Sequence, residues 1–293
     1  MITSSADILA CPADGQALKL SGRALICPRG HNYDLARNGY CNLLLAQHKS
    51  SLDPGDSNDM VIARRRFLNA GHYAEIAEQI YHLACTALND NSQICAHVVD
   101  AGCGEGYYLE CLAALAQKHQ RPSNLALAGM DISKWAVKAA ASRAVEASWV
   151  VASNRQPPFL PHSVDLILNI FGFPHWGGFS TILSKRSHVL LVDPGPEHLI
   201  ELRRIIYPTV REAPPVNLDA AEQAGFSLEA EHTVHYEMHL ETPQIIQDLL
   251  LMTPHHARIP RERRMGVAAL EQLSVTVDVV LRLVASSRQS CFN

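Results

Sequence analysis

The sequence lacks a surplus of positive charge: 25 Lys and Arg stand against 29 Asp and Glu, for a formal net charge of −4. That excludes a chain that holds a polyanion through overall charge, so a nucleic acid would have to be met by local basic patches. No apolar run comes near the roughly 20 residues of a bilayer-spanning helix, which excludes a helical membrane protein and leaves no membrane partner to expect. The opening stretch MITSSADILACPADG has neither the basic region nor the apolar core of a secretory signal. The expectation is a cytoplasmic protein. Internal repeats and low-complexity tracts are missing as well, which excludes solenoid and fibrous architectures. The eight cysteines, at 11, 27, 41, 85, 95, 103, 111 and 291, are spread out and several sit in apolar settings. They read as reduced thiols rather than as a disulfide framework.

What is there is 293 residues, 47% of them hydrophobic and 18% charged, enough for one large domain or a medium domain with a small appendage. Residues 1–35 are short, polar and turn-rich, and ALKLSGRALICPRGHNYDL predicts a hairpin around Ser21-Gly22. Residues 36–58 have no sustained periodicity and end in DPGDS, a turn that leads into a helix cap. Residues 59–89 repeat apolar positions at three and four (Ile76, Ile80, Leu83, Ala84, Leu88) and predict one or two helices. From residue 91 onward, short apolar runs alternate with helical patterns. That predicts an α/β fold with a mainly parallel sheet. The alternating stretches 227–240 and 273–284 predict closing edge strands, with a helix over 243–256 between them. The division is therefore 1–35, then a linker of loop and helices over 36–90, then 91–293.

The most informative stretch is VVDAGCGEGYY. Asp100 ends a strand, and Gly102, Gly104 and Gly106 follow at every second position. Glycines there let the backbone turn sharply and come close to a ligand, and the helix that follows offers free N–H groups. The spacing is G-x-G-x-G behind an acid, not the G-x-G-x-x-G of a dinucleotide site. It suits S-adenosylmethionine, which carries a carboxylate and a sulfonium in place of a pyrophosphate. Asp131, with Ile132 after it, ends the next strand, where an acid accepts ribose hydroxyls. Ser153, in VVASNRQPPF, ends the third, where such folds meet the adenine.

These stretches, together with CP…ICPRGHNYDLARNGYCNLL, QHKSSLDPGDSNDMVIARRRFLNAGHY, GMDISKWAVKAAASR, DPGPEHLIEL and LLLMTPHH, resemble the bacterial 23S rRNA guanine-N1 methyltransferases over nearly the whole chain. Some of those enzymes confer tylosin resistance. The resemblance implies a zinc-ribbon-like N-terminal domain, a Rossmann-like class I methyltransferase domain, and a homodimer whose paired surfaces form an RNA cleft. It implies that Tyr73 and His198 line the cofactor site with Gly104 and Glu105. It implies that a hairpin of 23S rRNA is the partner.

The chain departs from that family at two places. The family's metal pattern is C-x2-C then C-x3-H; here Cys11, Cys27 and His31 match, and Asp14 stands where the second cysteine belongs. A carboxylate can ligate zinc, though structural sites prefer thiolate and imidazole. Two readings stand side by side: a zinc ion on Cys11, Asp14, Cys27 and His31, with Cys41 a remote substitute ligand, or a ribbon that has lost its metal and is held by packing. The second departure lies in VDLILNIFGFPHW, where Asn169 and Phe171 match an N-x-F pattern and are the candidates for the acceptor side of catalysis. Gly172-Phe173-Pro174 then replaces Ala-Pro, and LSKRSH replaces a Pro-Gly-Gly-like turn. Phe171 and Phe173 either stack on a purine or close the core. The triple Arg64–Arg66 either contacts phosphates or decorates a solvated helix face. His162, His175, His188, His255 and His256 have no metal spacing and read as surface or hydrogen-bonded loop residues.

The expected activity is methyl transfer from S-adenosylmethionine to N1 of a guanine in a 23S rRNA hairpin loop. The alternatives are the same fold acting on a small heteroaromatic acceptor, or a catalytically silent rRNA-binding protein.

Overall fold

The computed structural model describes residues 4–48, 51, 53–88, 95–120, 125–210, 217–256 and 259–286. Cys291 lies outside them.

After a 3-10 turn, Ser4–Ile8, the chain forms a small antiparallel sheet of β1 (Lys19–Ser21), β2 (Ala24–Ile26) and β3 (Asn32–Asp34), in the order 1-2-3. The β1–β2 turn is the predicted hairpin, with Ser21 opposite Ala24. The segment read as loop holds a two-residue strand, β4 (Cys41–Asn42), that pairs parallel with a strand of the main sheet. Two residues are too few to carry a period, so the pattern could not reveal it. Helices α1 (Asn58–Asn69) and α2 (Ala74–Leu88) follow. Ser57 is the N-cap of α1, its side chain accepting from Met60 N–H at 3.4 Å.

The core then alternates β5 (Ala96–Ala101), α3 (Tyr107–Lys118), β6 (Leu125–Asp131), α4 (Lys134–Ala140), β7 (Ala147–Val151), β8 (Val164–Ile170), α5 (Trp176–Ile182), β9 (Leu183–Pro194), α6 (Ile200–Ile206) and α7 (Asp219–Gln223). It closes with β10 (Phe226–Leu240), α8 (Pro243–Met252), α9 (Arg261–Ala268) and β11 (Leu273–Ser286). The eight-stranded sheet runs β10-β11-β9-β8-β5-β6-β7-β4. Strands β4 to β9 pair parallel, and β11 and β10 close one edge antiparallel. The LSKRSH segment is not a turn. It is the start of β9, with a register irregularity against β8 and Arg186 in the left-handed region at φ 58°. Helix α8 stops at Met252 rather than running to 256, because Pro254 disfavours helical backbone just before it.

Both sheet faces are covered, so the central strands read as near-continuous apolar runs whose residues alternate between two cores. Val98, Leu127, Leu166 and Leu190 face α2, α3, α6 and α8. Val99, Ala128, Ile167 and Leu191 face the other way, onto α5 and onto Leu9, Leu18, Leu25 and Cys27 of the N-terminal segment. That segment is stitched down by backbone bonds from Ala10 to Pro158 and from Leu160 to Ile8. The strand order reverses between β5 and β8, so their carboxyl ends form the crevice where an open α/β sheet binds its ligand.

Candidate functional site

Four side chains converge at the top of the N-terminal sheet. Cys11 Sγ lies 3.5 Å and Cys27 Sγ 3.3 Å from His31 Nδ1; Asp14 Oδ2 lies 3.5 Å from Cys27 Sγ and 3.2 Å from His31 Nδ1. One ligand atom from each falls within 4.8 Å of every other. Bonds of about 2.0–2.3 Å in a tetrahedron place ligand atoms roughly 3.3–3.8 Å apart. The donor set therefore fits zinc, with Asp14 aimed inward in the missing cysteine's place. Tyr33 Oη, 3.2 Å from Cys11 Sγ, is placed to donate to that sulfur. Cys41 is not part of the cluster. Its thiol turns to the carbonyls of Tyr33 and Asp34, and burial pushes it up to about 12.

At the sheet's carboxyl edge, Gly102, Gly104 and Gly106 all take positive φ (96°, 54° and 86°). At Gly106, the N-cap of α3, a Cβ would lie 2.7 Å from Trp149 and 3.0 Å from Ala140 Cβ, so packing as well as backbone demands glycine. At Gly102 a Cβ would meet nothing within 4 Å; the turn there faces open space. Asp131 does more than end its strand. Its carboxylate accepts Gly104 N–H at 3.0 Å and Ser133 N–H at 2.8 Å, which ties the glycine turn to the next strand. Each oxygen keeps a lone pair for a ligand hydroxyl.

Asp100 is the unusual group. It is buried, and neither carboxylate oxygen finds a hydrogen bond among the described residues. Burial, and then the charge of Asp131, raise it from 3.8 to about 8. An orphaned buried carboxylate beside a glycine turn fits the α-ammonium of S-adenosylmethionine. Glu105, expected at the cofactor, is buried between Gly104 and Gly106, and its Oε1 finds no hydrogen bond among the described residues. Its Oε2 accepts from buried Arg143, whose guanidinium also bonds Glu105 O, Glu110 and Asn69 Oδ1. Burial still raises the Glu105 carboxyl, with Arg143 opposing. Sequence reasoning gave Arg143 no role; a single arginine closing the apolar run AVKAAASR was the available signal.

A wall of rings stands opposite. Tyr73, Phe171 and His198 have centroids 5.9–6.2 Å apart. Asp278 N–H donates to His198 Nδ1 at 3.3 Å, so the neutral ring carries its proton on Nε2 and donates it to Tyr73 Oη, also at 3.3 Å. Burial lowers His198 to about 4, which keeps it neutral. Phe171 holds this place in left-handed backbone at φ 49°, costly for a residue other than glycine. Asn169, paired with Phe171 as a catalytic candidate, is buried and donates to Ala101 O at 2.7 Å. It ties the end of β8 to the end of β5, just before the glycine turn.

The DPGDS turn is a strap over the same edge. Gly55 packs so closely on Ile132 and Ser133 that a Cβ would come within 2.9 Å of either side chain. Ser133 Oγ donates to Asp56 O at 2.7 Å, and Asp53 accepts from Trp135 Nε1 at 2.8 Å. Half-buried Ile132 is thereby held under the strap. Ser153, beyond β7, forms an isolated bridge with Gln156 and accepts from Arg155 N–H at 3.3 Å. Each arginine of the triple has protein partners. Arg64 pairs with Asp56 and donates to Met252 O, Arg65 donates to Ala139 O and Ser142 Oγ, and Arg66 forms a bidentate pair with buried Asp248. Arg64 and Arg65 are half-buried and Arg66 is exposed, and all three find partners because α1 packs between α4 and α8. The histidines are also engaged: His175 caps α5, His162 meets Leu183 O, His188 meets Glu229 and His255 meets Tyr207.

The family model "RlmA, N-terminal", a zinc ribbon, matches residues 9–52, and a "Methyltransferase domain" model matches residues 98–191. A Bacillus subtilis (strain 168) protein provisionally named 23S rRNA (guanine-N(1)-)-methyltransferase YxjB is 30% identical over 277 residues, covering 92% of this chain and 94% of its own. The 23S rRNA (guanine(748)-N(1))-methyltransferase of Streptomyces fradiae is 35% identical over 195 residues, 66% of each chain. The cluster of four metal-ligating side chains and the glycine turn at the sheet edge thus fall within the two matched segments. This chain belongs to the 23S rRNA (guanine-N1-)-methyltransferase family and is an S-adenosylmethionine-dependent methyltransferase.

Proposed function

We propose that the enzyme methylates N1 of a guanine in a hairpin loop of 23S rRNA. The observation that carries the cofactor half is Asp100, a buried carboxylate without a partner among the described residues at the mouth of the glycine turn. The acceptor half is supported by the relatives, one of which matches over 92% of this chain, ribbon and catalytic core together.

When bound, S-adenosylmethionine supplies a methyl carbon already activated on a sulfonium, so the protein's task is alignment. In this reading Asp100 holds the ammonium. Gly102, Gly104 and Gly106 let the backbone approach, Asp131 meets the ribose, and Ile132 and Ser153 flank the adenine. Tyr73, Phe171 and His198 wall the transfer side. His198 holds a proton rather than taking one: both ring nitrogens are occupied, one by Asp278 N–H and one by its own hydrogen toward Tyr73. The proton of guanine N1 therefore leaves by another route. Cys11, Asp14, Cys27 and His31 would hold zinc and fix the shape of the ribbon.

The homodimer, the division into 1–35, 36–90 and 91–293, and the cytoplasmic location belong to the same proposal. The separate three-stranded sheet supports the first boundary. Among the described residues no helix is long and apolar enough to cross a membrane.

The test is transfer from labelled S-adenosylmethionine to unmodified 23S rRNA, with the product mapped as a reverse-transcription stop. A stop at one hairpin guanine is expected. Tight cofactor binding with transfer only to a small heteroaromatic acceptor would overturn the RNA reading.

A further inference from the structure

The loop after β8 presents a ring that the fold does not use. Phe173 is 88% exposed, more than any other large apolar side chain among the described residues. Its backbone is nonetheless fixed on both sides. Phe171 N–H donates to Val192 O at 2.8 Å, and Gly172 lies so close to Asn169 that a Cβ would sit 2.6 Å from Nδ2. The carbonyl of Phe173 itself accepts from Asn154 Nδ2 at 3.0 Å. Downstream, His175 accepts Gly178 N–H at 3.0 Å, and Gly178 is pressed against the carbonyls of Asn154 and Arg155, where a Cβ would come within 2.3 and 3.2 Å.

Holding an apolar ring in water on an ordered backbone gains nothing from burial and gives up chain entropy. The arrangement is explained by something that meets the ring. Its position says what. Two residues back, Phe171 is part of the wall with Tyr73 and His198, so Phe173 stands at the rim of the transfer site. Arg155, exposed, extends from the segment that packs on the same loop. An exposed aromatic face with an exposed cation on the neighbouring segment is the pairing that grips single-stranded nucleic acid: the ring stacks on a base and the cation meets a phosphate. A guanine whose N1 is to react must leave its stack, and this bares the face of a neighbouring base.

We infer that Phe173 stacks on an unpaired nucleobase next to the target guanine, with Arg155 on a nearby phosphate. Residues 172–175 are then an acceptor-recognition loop, distinct from the ring wall of the transfer site to which Phe171 belongs. This rests on the RNA reading above.

The experiment compares the full-length enzyme with F173A, F173W and R155A, measuring affinity for unmodified 23S rRNA, KM and kcat for transfer, and calorimetric affinity for S-adenosylhomocysteine. F173A is expected to lose roughly 5- to 150-fold in RNA affinity, the worth of one base–aromatic stack. F173W should restore it, and cofactor affinity should be unchanged in both. R155A should lessen the salt dependence of RNA binding by about 0.7 in log–log slope, one single-strand phosphate. If the parent methylates rRNA and F173A does so with the same KM, the inference falls alone. If the parent neither binds nor methylates rRNA, the reading beneath it falls as well. If F173A changes the oligomeric state and leaves RNA affinity intact, the ring belongs to a contact between copies and the inference is wrong.

Discussion

In the proposed site, binding of the cofactor's ammonium to Asp100 expels a proton. Without ligand the carboxyl titrates at about 8. At pH 7 only about a tenth of molecules therefore carry the charge that an ammonium needs. Apparent affinity at pH 7 should be roughly elevenfold below that of the ionised form, and at pH 6 about a hundredfold below it. Close to 0.9 of a proton should be released per ligand at pH 7. Calorimetry with S-adenosylhomocysteine, repeated in buffers of different ionisation enthalpy, reads both quantities. The α-amino group of the ligand is that of a free amino acid and stays protonated over this range. Methylthioadenosine, which has no ammonium, is the control and should bind with no such slope. Asp100→Asn should abolish the slope for the homocysteine ligand and leave methylthioadenosine unaffected. The same substitution should stabilise the free protein. A carboxyl raised in the folded state favours folding below its unfolded value of 3.8, and that advantage is lost as pH rises toward 8. The cost at pH 7, that of protonating a carboxyl whose unfolded value is 3.8, is on the order of 4 kcal/mol, and an amide, which takes up no proton, avoids it. A pH slope that survives in Asp100→Asn, or a variant that melts lower than the parent, would refute the assignment.

Gly106→Ala should destabilise by about 2 kcal/mol or more, through contact with Trp149 and Ala140 and through positive φ; urea unfolding checks it. Arg143→Met leaves Glu105 buried and unpaired and should cost about 3–5 kcal/mol. Adding Glu105→Gln should recover part of that loss, so the double variant unfolds at higher urea than the single one. Asp14→Cys should tighten zinc by replacing a carboxylate with a thiolate, read by competition with a chromogenic chelator; weaker retention than in the parent would show that Asp14 is not a ligand.

Much of the catalytic core was legible because its physics is local. Strands β5 to β9 announce themselves as apolar runs, and Asp100, the glycines and Asp131 lie at strand ends that a reader can locate. The unreadable parts depend on distant partners. Strand β4 exists because β7 offers an unpaired edge. The arginines of α1 looked like a basic patch, yet their partners Asp56, Ala139, Ser142, Met252 and Asp248 are scattered over the chain. Glu105 sits between Gly104 and Gly106 in sequence, but Arg143, 38 residues on, holds one oxygen of its carboxylate. The DPGDS string stood out as a family feature, and only folding reveals that it clamps Ile132.

The two residues of β4 have a consequence for how the protein can be divided. They close what would otherwise be the bare edge of β7, whose flank would present unpaired amides to any passing strand. The opposite margin, β10, needs no such cover, since it shows water a row of Glu and His side chains. Removing the N-terminal segment would strip one margin of its guard and bare the apolar face around Val99, Ala128 and Val150. The ribbon is thus part of what keeps the catalytic sheet from associating with copies of itself, and an enzyme trimmed to its catalytic half should be sticky before it is inactive.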